Sequence, residues 1–104
     1  MAKYKVIYSK LTESKLLQIS DYLLQNWSLQ IAEKFQKTFL AKVEFLAKNP
    51  KIGRPSSRYH YVRSISITKH NRLHYRFNEH TIFLITIFDT RQNPVKNKFE
   101  LALF

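Results

Sequence analysis

Residues 69–89 read Lys69-His70-Asn71-Arg72-Leu73-His74-Tyr75-Arg76-Phe77-Asn78-Glu79-His80-Thr81-Ile82-Phe83-Leu84-Ile85-Thr86-Ile87-Phe88-Asp89. From Arg72 to Phe77 the pattern alternates. Leu73, Tyr75 and Phe77 point one way and Arg72, His74 and Arg76 the other, the period-two signature of a strand buried on one face. From Thr81 to Asp89 the run is apolar on both faces, which predicts a central strand. The connectors at Lys69 to Asn71 and Asn78 to His80 are short enough for hairpins.

Upstream, Tyr61 to Ile67 gives a further strand signal, and Lys51 to Arg58, with Gly53 and Pro55, reads as a loop. Before it lie two helical patterns. In the first, Leu16, Ile19, Leu23 and Trp27 recur at helical spacing, Leu17 and Leu24 widen the stripe, and Ser9 or Thr12 is placed to cap. The second begins at an N-cap, Ser28, and carries Ala32, Phe35, Phe39, Val43 and Leu46 on one face. It stops near Asn49-Pro50, because a residue before proline avoids the α region. The tight connection makes the pair an antiparallel hairpin, with Trp27 and the Phe stripe read as core. At the start, Tyr4, Val6 and Tyr8 alternate with lysines from Lys3 to Tyr8, another strand. After Asn93-Pro94, Val95, Phe99, Ala102 and Leu103 suit a short packed helix. The order is β-α-α-β-β-β with a short C-terminal extension. That is an α+β fold, with the helical hairpin packed on one face of a largely antiparallel sheet. No repeat or linker divides residues 1–104, so one domain is expected.

Composition narrows the function. Of 104 residues, 44% are hydrophobic and 14% aromatic, enough for a packed core. One glycine leaves no room for a glycine-rich phosphate loop. The absence of Cys rules out disulfides, thiol catalysis and thiolate metal sites, and four histidines without ligand spacing argue against a metal centre. No cofactor is expected. The first residues lack the apolar core of a signal peptide. The longest apolar run, Ile82 to Phe88, is far short of the roughly 20 residues of a membrane helix. A cytoplasmic protein without membrane contact is therefore expected by elimination.

The net charge of +11 exceeds the magnitude of about 2–8 usual for a small domain, which directs attention to an acidic partner. Between Glu44 and Glu79 there is no acidic residue, while Lys48, Lys51, Arg54, Arg58, Arg63, Lys69, Arg72 and Arg76 are spread through the span with His60, His70 and His74. Arginine suits bidentate contact with phosphate or carboxylate. Two readings of the Arg72, His74, Arg76 face compete: a plain solvated face, or the lining of a basic concavity where a partner sits. His70 and His74 are candidate acid–base groups, although a surface histidine is more often idle. Asp89 is placed to pair with Arg91 or to cap the tail.

Several segments taken in order carry a family resemblance. They are Val6-Ile7-Tyr8-Ser9, the two helices, Asn49-Pro50-Lys51-Ile52-Gly53-Arg54-Pro55-Ser56, Val62-Arg63, Lys69-His70-Asn71-Arg72-Leu73-His74-Tyr75-Arg76, and Ile87-Phe88-Asp89-Thr90-Arg91-Gln92-Asn93-Pro94. Together they resemble the RelE/ParE superfamily, toxins of type II toxin–antitoxin modules associated with plasmid stabilisation and growth inhibition. The resemblance covers nearly the whole chain and implies the same β-α-α-β-β-β fold. It implies an acidic cognate antitoxin in a toxin–antitoxin hetero-oligomer, and one of two targets. RelE-like members cleave mRNA on the ribosome; ParE-like members inhibit DNA gyrase.

Arg72 falls where RelE- and YoeB-like nucleases place an arginine before a Leu/Val-x-Tyr strand, and Arg91 matches a late basic residue of RelE. Those nucleases, however, carry a Tyr or a His-Tyr pair near the end of the last strand, where this chain has Phe88-Asp89-Thr90-Arg91. Ile67 stands where RelE has a further arginine. Arg63 and the His70-x-Arg72-x-x-Tyr75-Arg76 pattern are closer to ParE. The resemblance thus favours a ParE-like toxin that acts on gyrase by binding. It assigns Lys51, Arg54, Arg58, Arg63, Arg72, His74, Arg76, Asp89 and Arg91 to target or antitoxin contact. The alternatives are an mRNA endoribonuclease using Arg72, Arg76 and Arg91 with His70 or His74, and a non-toxic member that only binds antitoxin or nucleic acid.

Overall fold

The computed structural model describes residues 3–90. Its elements run β1 (Lys5–Tyr8), α1 (Lys10–Asn26), α2 (Leu29–Lys48), β2 (Arg54–Pro55), β3 (Arg63–Thr68), β4 (Asn71–Phe77) and β5 (Thr81–Asp89). The expected tail helix and Arg91 lie outside the described residues.

Local chemistry sets the helix boundaries. The Ser9 side chain accepts from the Thr12 amide and the Ser28 side chain from the Ile31 amide, each satisfying a backbone donor with no partner inside the helix. α2 ends at Lys48, with Asn49 as its C-cap one residue before Pro50. Its buried stripe of Ala32, Phe35, Phe39, Val43, Leu46 and Ala47 packs on Ile67, Leu73, Tyr75, Ile82, Leu84 and Ile87 of the sheet. That makes α2 the main lid of the core.

α1 contributes less than its sequence pattern predicts. Leu16, Ile19 and Leu23 pack at the edge of the core, but Leu17 and Trp27 are each 66% exposed and Leu24 is also exposed. Trp27 continues the helical spacing, yet α1 has ended by then and Trp27 is its C-cap. Leu17 and Leu24 fall on a flank that the sheet does not reach. Phe35 and Phe39 are core as expected, whereas Phe45 is on the surface.

The five strands form one sheet in the order β1-β5-β4-β3-β2. Three of the four pairings are antiparallel, and β1 pairs parallel with β5, Lys5 facing Thr81 and Tyr8 facing Leu84. The long connection that a parallel pairing requires runs through the helical hairpin and then β2 to β4. β5 is interior, as its two apolar faces predict. The segment read as a loop, Lys51 to Arg58, contains the two-residue edge strand β2, which pairs with β3 (Arg54 with Ser64, Pro55 with Arg63). Proline is tolerated there because an edge strand needs no donor on its outer side.

That loop is fixed to the sheet by Tyr75, which is fully buried. Its hydroxyl donates to the Pro50 carbonyl at 2.7 Å and accepts from the Gly53 amide at 2.9 Å. A Cβ on Gly53 would fall well inside van der Waals contact with that hydroxyl oxygen. The only glycine in the chain is needed for this close approach, and its φ is not positive. No described helix is long and apolar enough to cross a membrane.

Candidate anion-binding face

β3 and β4 run antiparallel with Ser64 opposite His74 and Ser66 opposite Arg72. On the other side of β4, Phe88 of β5 lies opposite Arg72, and Thr86 opposite His74. Since Leu73 and Tyr75 enter the core, this alternate set occupies the sheet face turned away from the helices. The Arg72 guanidinium leans across to β3. Its Nη2 lies 3.0 Å from Ser64 Oγ and 3.2 Å from the Ser64 carbonyl, and its Nε lies 3.3 Å from Ser64 Oγ.

The β2 pairing brings Arg54 alongside. Partial burial and, second, the neighbouring Arg54 charge pull the Arg72 pKa below its ordinary value. The polar groups beside Arg72 in this corner, the Arg54 guanidinium, the Ser64 hydroxyl and the His74 ring, leave its charge unopposed. No acidic residue lies between Glu44 and Glu79, and the hollow that Arg54, Ser57, Ser64, Arg72, His74 and Phe88 help to line, about 350 Å³ in volume, contains none.

His74 lies on the predicted face but is covered. It is only 9% exposed, its ring centroid is 4.3 Å from that of Phe88, and neither Nδ1 nor Nε2 has a hydrogen-bond partner. Burial, aided by the Arg72 charge, lowers its pKa to about 4, so it is neutral at neutral pH. A local irregularity accompanies the covering. The β4–β5 register passes from His74–Thr86 to Tyr75–Leu84, skipping Ile85, and such a bulge bends and twists a sheet.

The other expected site residues are dispersed. Arg76 is exposed and stacks 4.2 Å over the Phe83 ring. It borders a separate, smaller hollow beside Ile7 and Ile85. Arg63 is the exception: it lines the Arg54–Arg72 hollow, with its Nη1 donating to the Gly53 carbonyl at 2.8 Å and the Lys51 carbonyl at 3.2 Å. Lys51 and Arg58 are exposed on the same loop. His70 and Asp89 lie at the far end of the β4–β5 pair, in a groove of about 750 Å³ that they share with Tyr22, Leu23 and Trp27 of the α1 region.

The structure therefore joins Arg54, Arg63, Arg72 and His74 in one hollow and leaves His70, Asp89 and Arg76 outside it. Ser57, Ser64 and Phe88 line that hollow without having been singled out from sequence. The alternation Arg63-Ser64-Ile65-Ser66-Ile67 does place Ser64 and Ser66 on one face, but only the strand register shows that this is the face of Arg72. Chemically, the corner offers cationic forks and hydroxyls for an anion. Its imidazole is covered and neutral in this structure.

Comparison with known proteins agrees with this architecture. Residues 6–94 match the family model described as the ParE toxin of the type II toxin–antitoxin system, parDE. No curated protein matches the chain in sequence. Among solved structures it is similar to one titled as the chromosomal ParDE toxin–antitoxin system from P. aeruginosa, with a TM-score of 0.73 and 18% identity over 86% of this chain and 98% of that one. A double mutant of the E. coli toxin RelE in the free state aligns with a TM-score of 0.63 and 12% identity, over 99% of this chain and 100% of that one. The RelBE2 toxin–antitoxin complex from Mycobacterium tuberculosis aligns with a TM-score of 0.58 and 17% identity, over 85% and 99% of the two chains. At these identities the structural likenesses speak for the fold alone.

Proposed function

The chain belongs to the ParE toxin family of type II toxin–antitoxin systems, and from that premise we propose that it acts in the cytoplasm by binding and inhibiting DNA gyrase, with a cognate acidic antitoxin as its neutralising partner. The observation that carries this reading is the Arg54–Arg72 corner, a cationic surface free of carboxylates whose one imidazole is buried and neutral. Cleavage of RNA through its 2′-hydroxyl needs an acid and a base within reach of the scissile phosphate. Among the described residues of this corner there is binding chemistry without that pair. An acidic, partly disordered antitoxin segment that folds on the toxin would supply the missing negative charge.

The test is expression of the chain without its antitoxin, followed by gyrase supercoiling assays and mapping of mRNA ends on translating ribosomes. Loss of supercoiling with intact mRNA is the expected result. Codon-positioned cleavage would overturn it in favour of a nuclease, and no effect in either assay would leave a member that only binds.

A further inference from the structure

We propose that the hollow between β2, β3 and β4 is a receptor for a single phosphomonoester group, gripped by Arg54 and Arg72 with the Ser57 and Ser64 hydroxyls. Three observations carry this. The first is charge: beyond the effect of burial, the Arg54 guanidinium is close enough to Arg72 to weaken its hold on its proton, Arg63 (its Nη1 spent on loop carbonyls) lines the same space, and no carboxylate does. A single negative charge would leave one of them unbalanced, whereas a phosphomonoester brings about −1.5 to −2 at neutral pH. The second is preorganisation. Ser64 holds the Arg72 fork through three contacts of 3.0–3.3 Å, and β2, which carries Arg54, follows a loop fastened by Tyr75 and Arg63. A receptor that is already ordered loses less entropy on binding.

The third observation is the lining itself. His74, 9% exposed, presents two ring nitrogens that no protein group satisfies. Buried polar atoms without partners are uncommon in native structures and call for an explanation. With a shift of the covering Phe88 ring, an oxygen at the back of the hollow would satisfy one of them. Two forks, two hydroxyls and an imidazole also exceed what the two oxygens of a planar carboxylate can accept, and suit the three free oxygens of a terminal phosphate.

The receptor is a property of the isolated chain, so it stands or falls independently of the gyrase reading. The test is titration of the purified protein with inorganic phosphate, followed by calorimetry and by the imidazole NMR signals. Saturable binding that moves the His74 signals and leaves those of exposed His80 in place is expected. Arg72→Lys, which keeps the charge but loses the fork, should weaken binding on the order of tenfold. Arg54→Gln, at an exposed position, should do the same without affecting folding. Lys37→Gln on α2, an equal loss of charge elsewhere, should leave binding within about twofold.

A short oligothymidylate separates the sources of the group. Tighter binding with a 5′-phosphate than with a 5′-hydroxyl identifies a nucleic-acid end. Binding of inorganic phosphate with no gain from the 5′-phosphate identifies a free phosphate or a small phosphorylated molecule. Either outcome supports the receptor. It is overturned if Arg54→Gln and Lys37→Gln weaken binding equally, if Arg72→Lys binds as the parent does, or if a glutamate-rich peptide occupies the hollow more tightly than phosphate.

Discussion

His74 is uncharged at neutral pH because burial, and then the Arg72 charge, disfavours its protonated form. Its pKa falls from an ordinary 6.5 to about 4. Between those values the unfolded chain binds a proton that the folded chain refuses, so stability is full above the upper value and declines as pH falls towards the lower. The loss from this one group approaches about 3 kcal/mol once both values are passed. His74→Leu should flatten that part of a pH series of urea denaturations and, by deleting two unsatisfied nitrogens, cost little at neutral pH. A variant that keeps the parental slope in the upper half of the window would contradict the burial account. The alternation that sends Arg72 and His74 to one face was legible in the sequence. The covering of His74 was not, because it depends on Phe88 across the strand and on a bulge that period-two counting cannot anticipate.

The two helix caps look alike in sequence and differ in what they join. Ser28 caps α2, and its side chain makes no further hydrogen bond among the described residues. Ser9 caps α1 and also donates to the Ile85 carbonyl at 2.6 Å, while its amide and the Thr12 hydroxyl both donate to the Leu84 carbonyl. Ser28→Ala should cost about 1 kcal/mol. Ser9→Ala removes the cap and a partly buried bond to β5 together and should cost roughly 2–3 kcal/mol, read from urea midpoints. Equal costs would mean that the link to β5 adds nothing. Caps and the Asn49-Pro50 stop were legible because they act within a few residues. The parallel β1–β5 pairing was not, since strand order is a long-range property, and neither was the two-residue β2, which has no periodicity to read. Trp27 misled for the opposite reason: its spacing fits the helix stripe, but the helix it would extend is over.

The whole molecule divides its labour between sheet faces, core towards the helices and cations away from them. Arg76 contributes a stacked contact worth about 0.5–1 kcal/mol at an exposed site, and Arg72 is held by neutral oxygens. Replacing both with Ala should therefore shift the melting temperature by only a few degrees while weakening target inhibition on the order of tenfold or more. A large thermal loss with inhibition retained would reverse the assignment. The same architecture has a consequence for biosynthesis. β5 stands between β1 and β4, so the first strand made has no sheet neighbour until the last has been translated. Up to that moment β4 lacks the partner that brings Phe88 and Thr86 beside it, and the basic corner has no finished wall. A chain still being synthesised thus carries all the arginines of that corner without their geometry, and the corner takes its final form only when translation has passed β5.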